Sequence, residues 1–226
     1  MILAHWHNLL RQTQIPVVST EITFVKSQTG TSSSGSITIT GLQSGDFVLC
    51  HASEDAGSEP PTPSSATNIY SCDGEAHNSS MWYEFATGTS MTQNLGSNET
   101  YNVGYLVFRG VNSSTPLDVS ITAPSTDDTQ NVTSITPPSI TTVTDGCMLV
   151  IVMSIEDENI AGQISHDSSY TLEVDSYGSL GDATTLMAYK TQSSSGTESP
   201  SAFDWSQLGG ATANSTHTTT IALRPA

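Results

Sequence analysis

Apolar and polar residues alternate at period two in short runs along most of this chain, and Gly, Pro, Ser and Asp punctuate the gaps. SITIT (36–40) alternates cleanly, the mark of a strand with one face covered. EITFVKS (21–27) sets Ile22 and Phe24 against polar partners, and the Gly/Ser tract at 30–35 then turns the chain. FVLCHA (47–52) and CMLVIVMSI (147–155) are apolar at nearly every position, which predicts strands buried on both faces. Further strands are predicted at MWYEFAT (81–87), YNVGYLVFRG (101–110), LDVSIT (117–122), NVTSIT (131–136) and TTV (141–143). SYTLEV (169–174), TTLMAYK (184–190), SAFDW (201–205) and HTTTIALR (217–224) complete the set. The Pro- and acid-rich stretch 54–67 reads as a long surface loop, because Pro cannot sit inside a sheet.

About twelve short strands with regular turn signals predict an all-β fold, an antiparallel two-sheet β-sandwich of jelly-roll or Greek-key type. It occupies residues 19–226 as a single domain, and no repeat of fixed period suggests a solenoid or propeller. Residues 1–18 stand apart. Ile2, Leu3, Trp6, Leu9 and Leu10 recur at helical spacing ahead of Pro16, so a short N-terminal arm or helix is expected there. At about a dozen residues such a helix is marginal alone and needs a surface to pack on.

Composition narrows the partners. Acidic residues number 22 against 5 basic, a formal net charge of −17, and a field of that sign repels nucleic acid and anionic membranes. No run approaches the roughly eighteen apolar residues of a membrane-spanning helix. The first residues, MILAHWHNLLRQ, lack the layout of a secretory signal, so folding inside the producing cell is expected. Ser and Thr make up roughly 30% of the chain, which favours strands and turns over helices. Cys50 and Cys147 lie inside apolar runs and read as core thiols, while Cys72 flanks a loop. None of the three sits in a close-spaced metal motif.

Candidate chemistry is sparse. No G-x-S-x-G elbow or paired-carboxylate pattern singles out catalytic residues, so none are assigned, and no cofactor is implied. His5 and His7 lack metal-ligand context. The acidic run Glu156, Asp157, Glu158 departs from calcium-loop spacing and reads as a solvated turn, so no metal site is assigned. Trp82 and Tyr170, with other aromatics, would form a sugar-stacking platform if exposed, although aromatics at strand spacing are more often core. Arg109 ends an apolar strand before turn residues, and Asp118 is its expected ionic partner.

Four segments taken together, GLQSGDFVLCHAS (41–53), LVFRGVNSSTPLDV (106–119), PPSITTVTDGCMLVIVMSI (137–155) and HTTTIALRPA (217–226), resemble a β-sandwich of structural proteins from tailed phages. The likeness covers about residues 36–226. It implies a virion structural protein of the capsid decoration (cement) type, on the outer surface of the particle and assembled in the host cytoplasm. Its partner would then be the major capsid protein or another virion protein, and a homo-oligomer such as a trimer fits that role. The first 35 residues lie outside the likeness, and the N-terminal segment either docks on such a partner or folds back on its own sandwich. The alternative is a tail- or head-fibre module that binds a receptor or carbohydrate through Trp82 or Tyr170.

Overall fold

The computed structural model describes residues 21–31, 35–54, 59–73, 77–96, 100–121, 124–127, 132–156, 164–177, 183–206 and 215–226. The arm expected over residues 1–18 lies outside them. Sixteen strands form among the described residues, and all of their pairings are antiparallel. The first half of the chain contributes β1 (Thr23–Thr31), β2 (Ser36–Thr40), β3 (Phe47–Glu54), β4 (Thr67–Asp73), β5 (Asn78–Phe85), β6 (Ser90–Asn94) and β7 (Asn102–Arg109). The second half contributes β8 (Ser125–Asp127), β9 (Ser134–Ile135), β10 (Ile140–Thr141), β11 (Cys147–Ile155), β12 (Thr171–Tyr177), β13 (Thr184–Gln192), β14 (Thr197–Glu198), β15 (Phe203–Asp204) and β16 (Thr216–Leu223).

Two five-stranded sheets carry the fold, ordered β1-β7-β3-β5-β4 and β12-β13-β11-β16-β8, with two-stranded ribbons β2-β6, β10-β14 and β9-β15 beside them. The apolar runs explain the layering. Successive side chains leave a strand on opposite faces, so a strand that is apolar throughout needs cover on both. On β3, Phe47 and Leu49 point into a central layer with Leu106, Phe108, Met148, Val150, Val152, Met187 and Ile221, contributed by both sheets. Val48, Cys50 and Ala52 point the other way, against Ile37, Ile39 and Met91 of the β2-β6 ribbon. On β11, Leu149, Ile151 and Met153 likewise turn outward to Ile135 and Phe203 of the β9-β15 ribbon and to Trp205 just beyond it. Three apolar layers therefore separate four layers of backbone. The all-β sandwich expected from the sequence is present, with sheets packed face to face.

The two halves repeat one topology. With the five strands of each main sheet counted in chain order, both sheets read 3-4-2-5-1. In both, the ribbons join the segment between strands one and two to the segment between strands four and five. This nesting of early strands with late ones is jelly-roll wrapping, carried out twice. The matching positions run from Gln43 and Val143 through Met81 and Met187 to Arg109 and Arg224, so their spacing drifts from 100 to 106 to 115 residues. A drift of that size leaves no fixed period in the sequence.

Contacts across the seam between the halves are reciprocal, as at an interface with two-fold symmetry. The β4/β5 side of the first half faces β16 and β11, where Cys72 and Ser79 meet His217 and His77 meets Ser154. The β12/β13 side of the second half faces β7 and β3 in the same way. Asn102 donates to the Ser176 and Ala183 carbonyls, and Ser53 bonds Thr185.

Some sequence expectations shift. Residues 117–121 of the expected strand LDVSIT (117–122) form no strand. Its Leu117 makes an isolated bridge to Leu223 at the end of β16, and Asp118 is turned inward to serve as a ligand for backbone groups. Strands β4, β6, β8 and β14 form where none was expected.

The seam is tight at Gly104 of β7, where a Cβ would lie 2.9 Å from Val174 and 3.1 Å from Met187 and Thr185. Gly104→Ala is expected to destabilise the protein by about 1–3 kcal/mol through overpacking. Gly30→Ala, whose Cβ would meet only Ile37 at 3.7 Å, serves as the control and is expected to change little. Urea unfolding midpoints of the two variants measure the difference.

Candidate functional site

Two buried carboxylates organise the ends of the central strands. The register of β3 with β7 sets Phe47 opposite Phe108, which brings Asp46, one residue before β3, beside Arg109 at the end of β7. Arg109 makes a bidentate contact, Nε to Oδ1 at 2.8 Å and Nη2 to Oδ2 at 3.0 Å. Asp46 Oδ2 also accepts from the Gln43 backbone N–H at 2.8 Å, which closes the turn into β3. In the second half, Met148 opposite Leu223 brings Arg224 to the corresponding place. Asp145 is not its partner. Asp118 reaches in from the connection between the halves, accepting from Arg224 Nε at 3.1 Å and from the Val143 N–H at 2.6 Å. Arg224 Nη2 donates to the Asp118 carbonyl at 2.9 Å. Gln43 and Val143 both lie four residues ahead of the strand they introduce, so the same clasp is built twice with carboxylates from different parts of the chain.

The expected pair Arg109–Asp118 is therefore corrected to Arg109–Asp46 and Arg224–Asp118. The cause is register: β7 lies beside β3 in the first sheet, while the bridge from Leu117 to Leu223 sets Asp118 beside the end of β16 in the second half. Burial works to raise the Asp118 pKa, but hydrogen bonds from Thr144, Val143 and Arg224 outweigh it and hold the carboxyl below its usual range.

The aromatic candidates are also corrected. Trp82 is fully buried and donates its indole N–H to Gln93 Oε1 at 3.0 Å. Tyr170 is 3% exposed, within the outer layer of the second half, and the Lys190 ammonium lies 4.8 Å above its ring centroid. Neither ring is open to a sugar, because each fills the space between a main sheet and its outer cover. Cys50 and Cys147 are core thiols as expected, and no disulfide joins any two of the three cysteines. Burial raises the pKa of both, that of Cys147 to about 12. Asp157 and Glu158 lie outside the described residues. Among the described residues no group of His, Cys, Asp or Glu is arranged to hold a metal ion, and no helix is long and apolar enough to cross a membrane.

The densest chemistry is one the sequence did not bring together, a cluster of imidazoles and hydroxyls in the seam. His77 Nε2 lies 2.7 Å from Ser154 Oγ, and His217 Nδ1 lies 2.8 Å from Ser79 Oγ. The other nitrogen of His217, Nε2, lies 3.6 Å from the Cys72 thiol. The rings of His77 and His217 are 4.8 Å apart, and His51 stands 6.3 Å from the Tyr70 ring. Base and hydroxyl are within proton-transfer reach. His77, His217, Ser79 and Ser154 are all fully buried, so each hydroxyl meets its imidazole inside the seam, away from solvent. Burial, reinforced by neighbouring histidines, lowers the pKa of His51 to about 3 and that of His77 well below its ordinary value. Sequence reasoning had no means to find the cluster, because its members come from β3, β4, β5, β11 and β16.

A shallow concavity lined by Pro61, Pro63, Ser65, Thr92 and Asn94 opens at the β2-β6 ribbon, and its lining bears no charged or aromatic side chain. No protein family matches the chain, and no curated protein or solved structure matches it either.

Removal of the Asp118 carboxylate strands Arg224 and two backbone N–H groups. Asp118→Ala is expected to lower stability at pH 7 by about 3 kcal/mol. Since the folded pKa of Asp118 is lowered, its contribution is present above the ordinary value of about 4 and is lost as the pH falls through the folded value. Denaturant titrations at pH 7 and pH 3 are expected to show the gap between wild type and variant closing in acid.

Proposed function

We propose that this chain is a virion structural protein of the capsid decoration type, attached through its N-terminal residues and presenting the acidic double sandwich outward. The observation that carries the reading is the character of the described surface. Val143 is its one exposed large hydrophobic residue, while every other large apolar side chain is at least partly withdrawn into the three layers. A body of this kind offers little for burial against a partner. Ile2, Leu3, Trp6, Leu9 and Leu10 supply the apolar anchor in this reading, with the major capsid protein or another virion protein as the receiving surface.

The segments that resemble phage sandwich proteins support the same reading. They coincide with the two clasps: Gly45-Asp46 and Asp145-Gly146 in the turns, Arg109-Gly110 and Arg224-Pro225 at the strand ends, and Pro116-Leu117-Asp118 in the connection. Those segments thus hold the joinery of the body, and residues 1–18, assigned to docking, lie outside them. The fibre-module alternative has lost the residues on which it rested, since Trp82 and Tyr170 are buried.

Deletion of residues 1–18 is expected to remove the protein from purified particles while the truncated chain still unfolds cooperatively. Gel analysis of particles assembled with each form reads the first outcome, and thermal unfolding of the free protein reads the second. Retention of the truncated chain on particles, or absence of the full chain from them, would overturn the proposal.

A further inference from the structure

The approximate two-fold relation between the halves assigns a counterpart to each residue facing the seam. With Leu106 matched to Ile221 and Phe108 to Leu223, all four in the central layer, Asn102 is the counterpart of His217. Matching Met81 to Met187 makes Ala183 the counterpart of His77, and through the registers of β4 with β5 and β12 with β13 it makes Ser176 the counterpart of Cys72. Matching Leu49 to Val150 makes Val152 the counterpart of His51. One side of the seam therefore closes with an amide, a small residue and an aliphatic one, where the other uses three imidazoles. The same wrapping is built without them, so the histidines are not a requirement of this fold.

They also come at a cost. His51 is fully buried, and neither of its ring nitrogens has a hydrogen-bond partner among the described residues. Such a group opposes folding. The titratable groups against the three rings are the rings themselves, Tyr70 and Cys72 of β4 and, through its backbone, Glu54 at the end of β3. Glu156 follows the end of β11, two residues beyond Ser154, and its backbone N–H donates to the Ser215 carbonyl.

We infer that the His51, His77 and His217 cluster is an acid-labile latch: His77 and His217 bond Ser154 and Ser79 across the seam, and the seam loosens when the buried rings take up protons. The sign follows from burial. Rings that stay neutral in the folded protein bind fewer protons than the unfolded chain, so stability is full above about pH 6.5 and falls as the pH drops toward the folded value, about 3 for His51. Charging also sets like charges against one another across 4.8 Å, the separation of the His77 and His217 rings. The inference is independent of what the protein attaches to.

The test compares the full chain with a variant in which each histidine takes its counterpart residue, His51→Val, His77→Ala and His217→Asn. From pH 7.5 to pH 5, the unfolding constant of the wild type is expected to rise about thirtyfold for each ring that stays neutral when folded, at about tenfold per unit below pH 6.5. The variant is expected to lose that rise, while the carboxylates and the remaining histidines, common to both proteins, cancel. Equal pH slopes in the two proteins would overturn the latch. Should the variant not fold, ring-proton resonances of the wild type decide. The latch expects the buried His51 and His77 rings to show no titration between pH 7.5 and the onset of unfolding, and reversible titration of either near pH 6.5 in the folded protein contradicts it.

Discussion

Strands β3, β11 and β16 bury every residue, and β7 buries all but its terminal Arg109, so each needs a wall of side chains on both faces. A two-layer sandwich covers only one face of each sheet. Here the second face is covered by stacking one wrapped unit on another, while narrow ribbons close the outside. Each fully buried Val, Leu or Met in the central layer contributes about 1.5–3 kcal/mol relative to exposure, and both halves supply that layer. The halves are therefore bound to each other by the interaction that folds each of them, and the clasps at the strand ends fix the register in which they meet.

The clasps show how one physical requirement can be met from different places in a sequence. Each half needs a carboxylate between the arginine that ends its last strand and the turn that opens its second. The first half takes it from that turn, as Asp46, and the second takes it from the connecting segment, as Asp118. Because Asp118 lies between the halves in sequence and serves the second, it also fastens the connection to the body. Two of the five cations in the chain are committed in this way. That commitment leaves the acidic groups dominant at the surface, and it suits the proposed role of a body that stays dispersed and is anchored elsewhere.

Much of the fold was legible. SITIT (36–40) forms β2 with the alternating burial its pattern predicts, and the apolar runs at 47–52 and 147–155 are the doubly covered strands. Strands β4 and β6 were hidden for identifiable reasons. In β4 a register shift between Asn68 and Tyr70 breaks the two-residue alternation. In β6 one of the two core positions is held by Gln93, whose side chain serves the buried Trp82 indole, so a polar residue stands where an apolar one marks a strand. The topological repeat escaped because its spacing drifts with loop length. The histidine cluster and the clasp pairing depend on strand order, which no local pattern encodes. Trp82 and Tyr170 look alike in sequence whether a ribbon covers them or not.

Two like halves are held face to face by their own seam, and the covalent connection between them is secondary. The direct measurement is to produce the chain as two pieces, cut between Ile121 and Pro124, and to determine by size-exclusion chromatography with light scattering what the co-expressed pieces form. A stable one-to-one complex that unfolds in a single transition is the predicted result. Two pieces that migrate separately as folded monomers, or that never associate, would contradict it.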